Sequence, residues 1–181
     1  MDHSQPRLAI MVISAFVALL LQIIIAPIIA IAHVVPNFIL IAVVITATRN
    51  APVRSTIFGF IMGLIFDLIS VGPMGAMTLV LTLLGYAVSS LNKGIFGGGL
   101  LIDIVVVLLA SLIGELLVSV VYAVVGSDPE FLLSLVIKVL PAALYDSLCG
   151  LVLLVIYRFF TGSRSTSTGP DMGRPLRRKL R

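Results

Sequence analysis

Apolar residues fill this chain in long blocks, separated by short stretches of turn-forming and polar residues. Six blocks can be drawn, at residues 8–32, 36–47, 56–71, 76–91, 99–125 and 131–160. A helix of about 20 apolar residues crosses a hydrocarbon core of about 30 Å. The second block has only twelve residues, so it must borrow its flanks, thin the bilayer locally, or re-enter without spanning. The pattern therefore predicts an all-α bundle of six transmembrane helices, or five if that block does not span. Turn signals fit a series of hairpins. His33-Val34-Val35-Pro36, Gly72-Pro73-Met74-Gly75 and Gly126-Ser127-Asp128-Pro129 fall at one side, and Arg49-Asn50-Ala51-Pro52 at the other.

Composition agrees with a polytopic membrane protein. Hydrophobic residues make up 60% of the 181 positions and charged residues 11%, against about 25% charged in soluble domains; the mean hydropathy is +1.22. The first block exceeds a signal-peptide core and no small-x-small cleavage site follows it, so it is expected to be retained as a helix. Cys149 is the single cysteine, which excludes an intrachain disulfide.

Charge adds an orientation. With six spans, Arg7, Arg49, Arg54, Lys93, Arg158 and the basic C-terminal residues share one side, and the opposite loops carry no Lys or Arg. The positive-inside rule then makes both termini cytoplasmic. Residues 1–160 read as one helical bundle and 161–181 as a flexible basic tail. Arg174, Arg177, Arg178, Lys179 and Arg181 in that tail read as topology determinants touching anionic lipid rather than nucleic acid.

A few polar residues interrupt the apolar blocks. Gly59, Gly63 and Asp67 recur every four residues and so share one helix face. The two glycines form a small-xxx-small pattern that admits another helix closely. A charge at bilayer depth costs about 2.5–3.5 kcal/mol, so Asp67 is expected to face a packed interior. Counting outward to the turn near Asp128 puts Glu115 and Lys138 at similar depth on successive helices, with Asp67 in the same half. Ser111, Glu115, Ser119 and Tyr122 line one face; Ser134, Lys138, Pro141 and Tyr145 line another. These stripes predict a Glu115–Lys138 pair in a polar cluster with Asp67 and Tyr145, weighed first as a packing network, then as a ligand or ion site, then as a docking surface. Asp103, near a helix end, is expected to snorkel to the interface.

Catalytic signatures are missing from the sequence: no Gly-x-Ser-x-Gly, His-Glu-x-x-His, Cys-x-x-Cys or phosphate loop occurs. His3 and His33 fall on opposite sides of the bundle, so no metal site is expected. Gly94-Ile95-Phe96-Gly97-Gly98-Gly99 lacks the lysine of a phosphate loop and reads as a flexible inner loop. The expectation is a protein that is not an enzyme and carries no cofactor.

In order and spacing, Pro36-Asn37-Phe38, Arg49, Pro52, Gly59-x-x-x-Gly63-Leu64-x-x-Asp67 and Pro73-x-Gly75 resemble the bacterial rod shape-determining protein MreD family. Leu140-Pro141-Ala142-Ala143-Leu144-Tyr145-Asp146 looks like that family's C-terminal proline-tyrosine segment. The resemblance implies a non-catalytic inner-membrane member of the elongation machinery, with a fold similar to the S component of energy-coupling-factor transporters. It implies as partners MreC, the MreB filament, RodA and a class B penicillin-binding transpeptidase. The reading is a scaffold that contacts partners through helix faces, with the Gly59/Gly63 groove and the Gly72-Pro73-Met74-Gly75 turn as candidate contacts. The alternative is a small-molecule-binding subunit of a vitamin or metal transporter, in which Asp67, Glu115 and Lys138 coordinate a ligand. That reading calls for a small-residue docking motif on the inner side, and Ala26 and Ala30 stand at the outer one. A flippase or channel would need more polar lining than two stripes supply.

Overall fold

The computed structural model describes residues 5–31, 34–95, 100–126 and 139–161. Six helices and no strand occur among them. Helix α1 (Gln5–Leu20) continues through a π-helical turn at Leu21–Ile25 into Ala26–Ile28. Pro27 has no N–H to return to the preceding turn, and just before it the Ala26 N–H reaches Leu21 O, five residues back. Then come α2 (Phe38–Ala47), α3 (Pro52–Ile69), α4 (Ala76–Ile95), α5 (Leu100–Val124) and α6 (Leu140–Thr161).

Four helices are long and apolar enough to cross a membrane: Leu8–Ile28, Pro52–Ile69, Leu101–Val124 and Leu140–Tyr157. Two shorter apolar helices, Phe38–Ala47 and Ala76–Leu91, accompany them. This is a multi-pass, all-α membrane protein. The short second block, uncertain as a span on length alone, turns out to be the centre of the bundle. Helix α2 is buried at every position but Ala42, and it packs against α1, α3, α4, α5 and α6. An apolar surface on all sides suits a helix enclosed by others. At about 1.5 Å per residue it covers about half the hydrocarbon thickness, so both its ends lie among protein groups.

The closest helix pair is α3 with α4. A Cβ on Gly63 would lie 2.5 Å from Thr78 Cα and 2.8 Å from Met77 O; one on Gly59 would meet the Leu81 carbonyl; one on Gly85 would lie 2.5 Å from Ser55 O. The pairing runs antiparallel, and backbone touches backbone along it. The small-xxx-small groove is therefore filled by the next helix of the same chain. Helices α5 and α6 pack antiparallel as well, with Gly150 against Val107. Gly114 admits Leu40 of α2 and Leu84 of α4.

At the Arg49 end, Arg49 Nη2 stands 3.1 Å from Asp103 Oδ2, and its guanidinium lies 5.8 Å from the centre of the Tyr157 ring. Asp103 is thus buried and ion-paired, not snorkelling as its place near a helix end suggests. Nearby, Ser89 Oγ donates to Asn50 O at 2.5 Å and Asn50 Nδ2 to Thr46 O at 2.8 Å. These bonds join the ends of α2, α4, α5 and α6.

Close packing and turn conformation make different demands on glycine. Gly75 adopts φ +91° with open space around its Cβ position, so Gly75→Ala should cost about 1 kcal/mol of backbone strain. Gly63→Ala must push two backbones apart and should cost more, about 2 kcal/mol or above. Thermal unfolding of the two purified variants in one detergent checks the order.

Candidate functional site

The polar residues inside the bundle gather where two helices begin. The first backbone N–H groups of a helix have no intrahelical acceptor, and where the start is buried against other helices, protein groups must serve them. Helix α4 starts in that situation. Asp67, from the last turn of α3, accepts from Gly75 N at 3.1 Å, Met77 N at 3.1 Å, Thr78 N at 2.9 Å and Thr78 Oγ1 at 2.6 Å. Four donors and the positive end of the helix dipole surround one carboxylate that is 5% exposed. The reversal that brings Gly75 back to Asp67 uses Pro73 and the positive φ of Gly75, so the Gly-Pro-Met-Gly turn and the buried Asp form one device.

Helix α2 begins beside it. Asn37 caps it, its Oδ1 accepting from Leu40 N at 3.0 Å. Asn37 N itself donates to Asp146 Oδ1 of α6 at 2.7 Å. Phe38 N donates to Oε1 of Gln22 at 2.8 Å, and Gln22 Nε2 donates to Pro36 O at 3.3 Å. Gln22 lies in the π-helical turn of α1. Three helices thus supply acceptors for the start of α2: α1 through Gln22, α6 through Asp146, and α2 itself through Asn37.

The two starts touch. Asn37 Nδ2 points at Met77 Sδ, 4.0 Å away, and Met77 N is one of the donors to Asp67. Glu115 of α5 lies beside Asn37 and Asp146, close enough for side-chain interaction. Tyr122, two turns further along α5, feels the charge of both Asp67 and Glu115, and its hydroxyl occupies the space a side chain on Gly72 would need. Tyr145 Oη donates to Ile29 O at 2.6 Å, tying α6 to the end of the α1 segment.

Of the residues singled out from the sequence, Gly59, Gly63, Asp67, Pro73 and Gly75 belong to the α3–α4 hairpin. Glu115 and Tyr145 lie in the helices that surround the start of α2. Lys138 is outside the described residues, as are Arg174, Arg177, Arg178, Lys179 and Arg181. The residue described as meeting Glu115 from the following helix is Asp146. Asn37 was legible, because an Asn directly before an apolar run is a helix-start signal. Gln22 carried no such signal: a lone amide in an apolar helix gains its meaning only from what packs against it. Among the described residues no group of three His, Cys, Asp or Glu could hold a metal ion.

Asp67→Ala removes the acceptor of four bonds and leaves buried N–H groups unpaired, at about 1–3 kcal/mol for each such group. It should unfold the α3–α4 hairpin first, read as early loss of amide-exchange protection over Ala76–Leu79. Asp67→Asn keeps one acceptor oxygen and should lower the unfolding midpoint by less than Asp67→Ala. Asn37→Ala should cost about 1 kcal/mol as a lost cap.

The family model for the rod shape-determining protein MreD matches residues 4–163. No curated protein and no solved structure matches the chain. The match spans every helix described above, from the first turns of α1 to the end of α6, and so the chain belongs to the MreD family of rod shape-determining proteins.

Proposed function

We propose that this multi-pass protein, whose family implies a role in rod shape determination, is a non-catalytic membrane scaffold that positions or activates the enzymes of lateral peptidoglycan synthesis through helix contacts. The observation that carries this reading is the fate of Asp67. The carboxylate most suggestive of chemistry has its oxygens engaged by four donors at the start of α4, a structural assignment that favours a fixed framework. The proposed location is the bacterial inner membrane with both termini cytoplasmic, from the distribution of Lys and Arg. The proposed partners are MreC, MreB, RodA and a class B penicillin-binding transpeptidase.

The contact surface follows from what the bundle leaves open. The Gly59/Gly63 groove is taken by α4, so partner helices must use other faces. Val71 and Met74 of the turn after α3 are fully and largely exposed, and α1 offers Val12, Phe16 and Leu20, all exposed, to a neighbour in the bilayer. Tight partner anchors of this kind are large apolar side chains near an interface centre.

Affinity purification of the tagged full chain from membranes should recover wall-synthesis partners. Met74→Glu should reduce that recovery severalfold while leaving the unfolding midpoint within about 0.5 kcal/mol of the parent, as befits an exposed position. Recovery of an ATPase module with no wall-synthesis partner would overturn the scaffold reading.

A further inference from the structure

One contact in the bundle is left over when helix capping is accounted for. Asp146 is completely buried; its Oδ1 accepts from Asn37 N at 2.7 Å, but its Oδ2 meets no donor among the described residues. The side chain facing it from α5 is another carboxylate, Glu115, close enough to interact with it directly. An ionised carboxylate only accepts, so two ionised carboxylates held in contact away from water repel strongly. The contact becomes attractive when one of them carries a proton.

Among the described residues the surroundings leave one negative charge unmatched. The start of α2, reached through Asn37, contributes a partial positive charge of about +0.5, enough company for one carboxylate. Helices α1 and α2 place no ionisable residue here. From α3, Asp67 is committed to the start of α4; α4 faces the site with Met77; α5 adds Tyr122, and α6 adds Tyr145 and Cys149. Arg49 is paired with Asp103 at the other end of the bundle, and Lys138 lies outside the described residues. A second observation marks the same seam. Ser111, one turn before Glu115 on α5, is completely buried and its Oγ also has no partner among the described residues. The Val107–Gly150 and Glu115–Asp146 contacts bracket it on the α5–α6 interface. Buried polar atoms are nearly always satisfied, and among the described residues no group supplies a donor to Asp146 Oδ2.

We infer that Glu115 and Asp146 form a proton-binding site that holds a single proton at neutral pH between Asp146 Oδ2 and the Glu115 carboxyl. On uptake an O–H bond forms on one carboxyl with a proton drawn from water, and the other carboxyl accepts its hydrogen bond; on release the proton returns to water. The bound proton closes the seam between α5 and α6 and holds Asp146 Oδ1 on the start of the central helix.

Infrared spectra of the purified full chain in lipid nanodiscs, in sodium-free buffer at neutral pH, test the site directly. The expected result is a protonated-carboxyl C=O band that shifts in D₂O and disappears in both Glu115→Gln and Asp146→Asn, since either single change leaves the remaining carboxyl with amide partners and no need of the proton. Should Asp146→Asn fail to fold, as judged by its unfolding midpoint, Glu115→Gln carries the comparison alone. Ser111→Ala, which deletes an equally buried polar atom of the same seam, should keep the band. Absence of the band in the parent, as neutralisation by Lys138 would produce, overturns the site. So does survival of the band in Glu115→Gln, its loss in Ser111→Ala, or its removal by sodium chloride at constant pH, which would identify a sodium site.

Discussion

A helix that begins packed against other helices buries its first N–H groups, and the architecture of this protein follows from supplying acceptors for them. Helices α2 and α4 both start among protein groups, side by side. Each draws on a carboxylate from another helix, Asp146 for α2 and Asp67 for α4. The two unfavourable terms offset one another. A carboxylate costs about 2.5–3.5 kcal/mol at bilayer depth, and each buried unpaired N–H costs about 1–3 kcal/mol; placed together, the donors solvate the charge and the charge satisfies the donors. Removing either side leaves the other exposed to the full penalty.

This arrangement permits a short helix at the centre. Ten residues of Phe, Ile, Leu, Val, Ala and Thr cannot cross a bilayer alone, but enclosed by five helices they need only have their ends satisfied. The start is served by Gln22, Asn37 and Asp146, and the far end by the Asn50 and Arg49 contacts. Between the polar ends the packing is apolar and close, with glycines where α3 meets α4 and where α5 meets α6. Polar contacts at the two ends fix depth and register, and the glycines fix distance.

For a member of the MreD family, such an interior is consistent with a framework that presents surfaces. Asp67 serves the hairpin, and the small-residue groove that a partner helix could have used is closed by α4. Exposed apolar surface remains on α1, on α3 to α6 and at the turn after α3. The Glu115–Asp146 contact stands apart from this, as the interior carboxylate pair for which a shared proton is proposed.

Much was legible in the order of residues. The apolar blocks gave the helical class and the membrane, because a hydrophobic run of sufficient length has few other stable fates. Gly59, Gly63 and Asp67 could be set on one inward face from their spacing, whereas Asn37 was not read as a cap although an Asn before an apolar run signals one. Spacing alone could not say which helix would fill the glycine groove, or that Asp103 would find Arg49 instead of the interface. Nor could it say that the residue meeting Glu115 would be Asp146. The blocks, their local caps and their inward faces were determined by the sequence itself, since these depend on neighbours within a turn or two. The partners of Asp67, Glu115, Asp103 and Asp146 were decided by tertiary structure. A buried charge is stabilised by whichever donors the packing brings within 3 Å, and an antiparallel register shift of one turn, about 5.4 Å, replaces one partner with another.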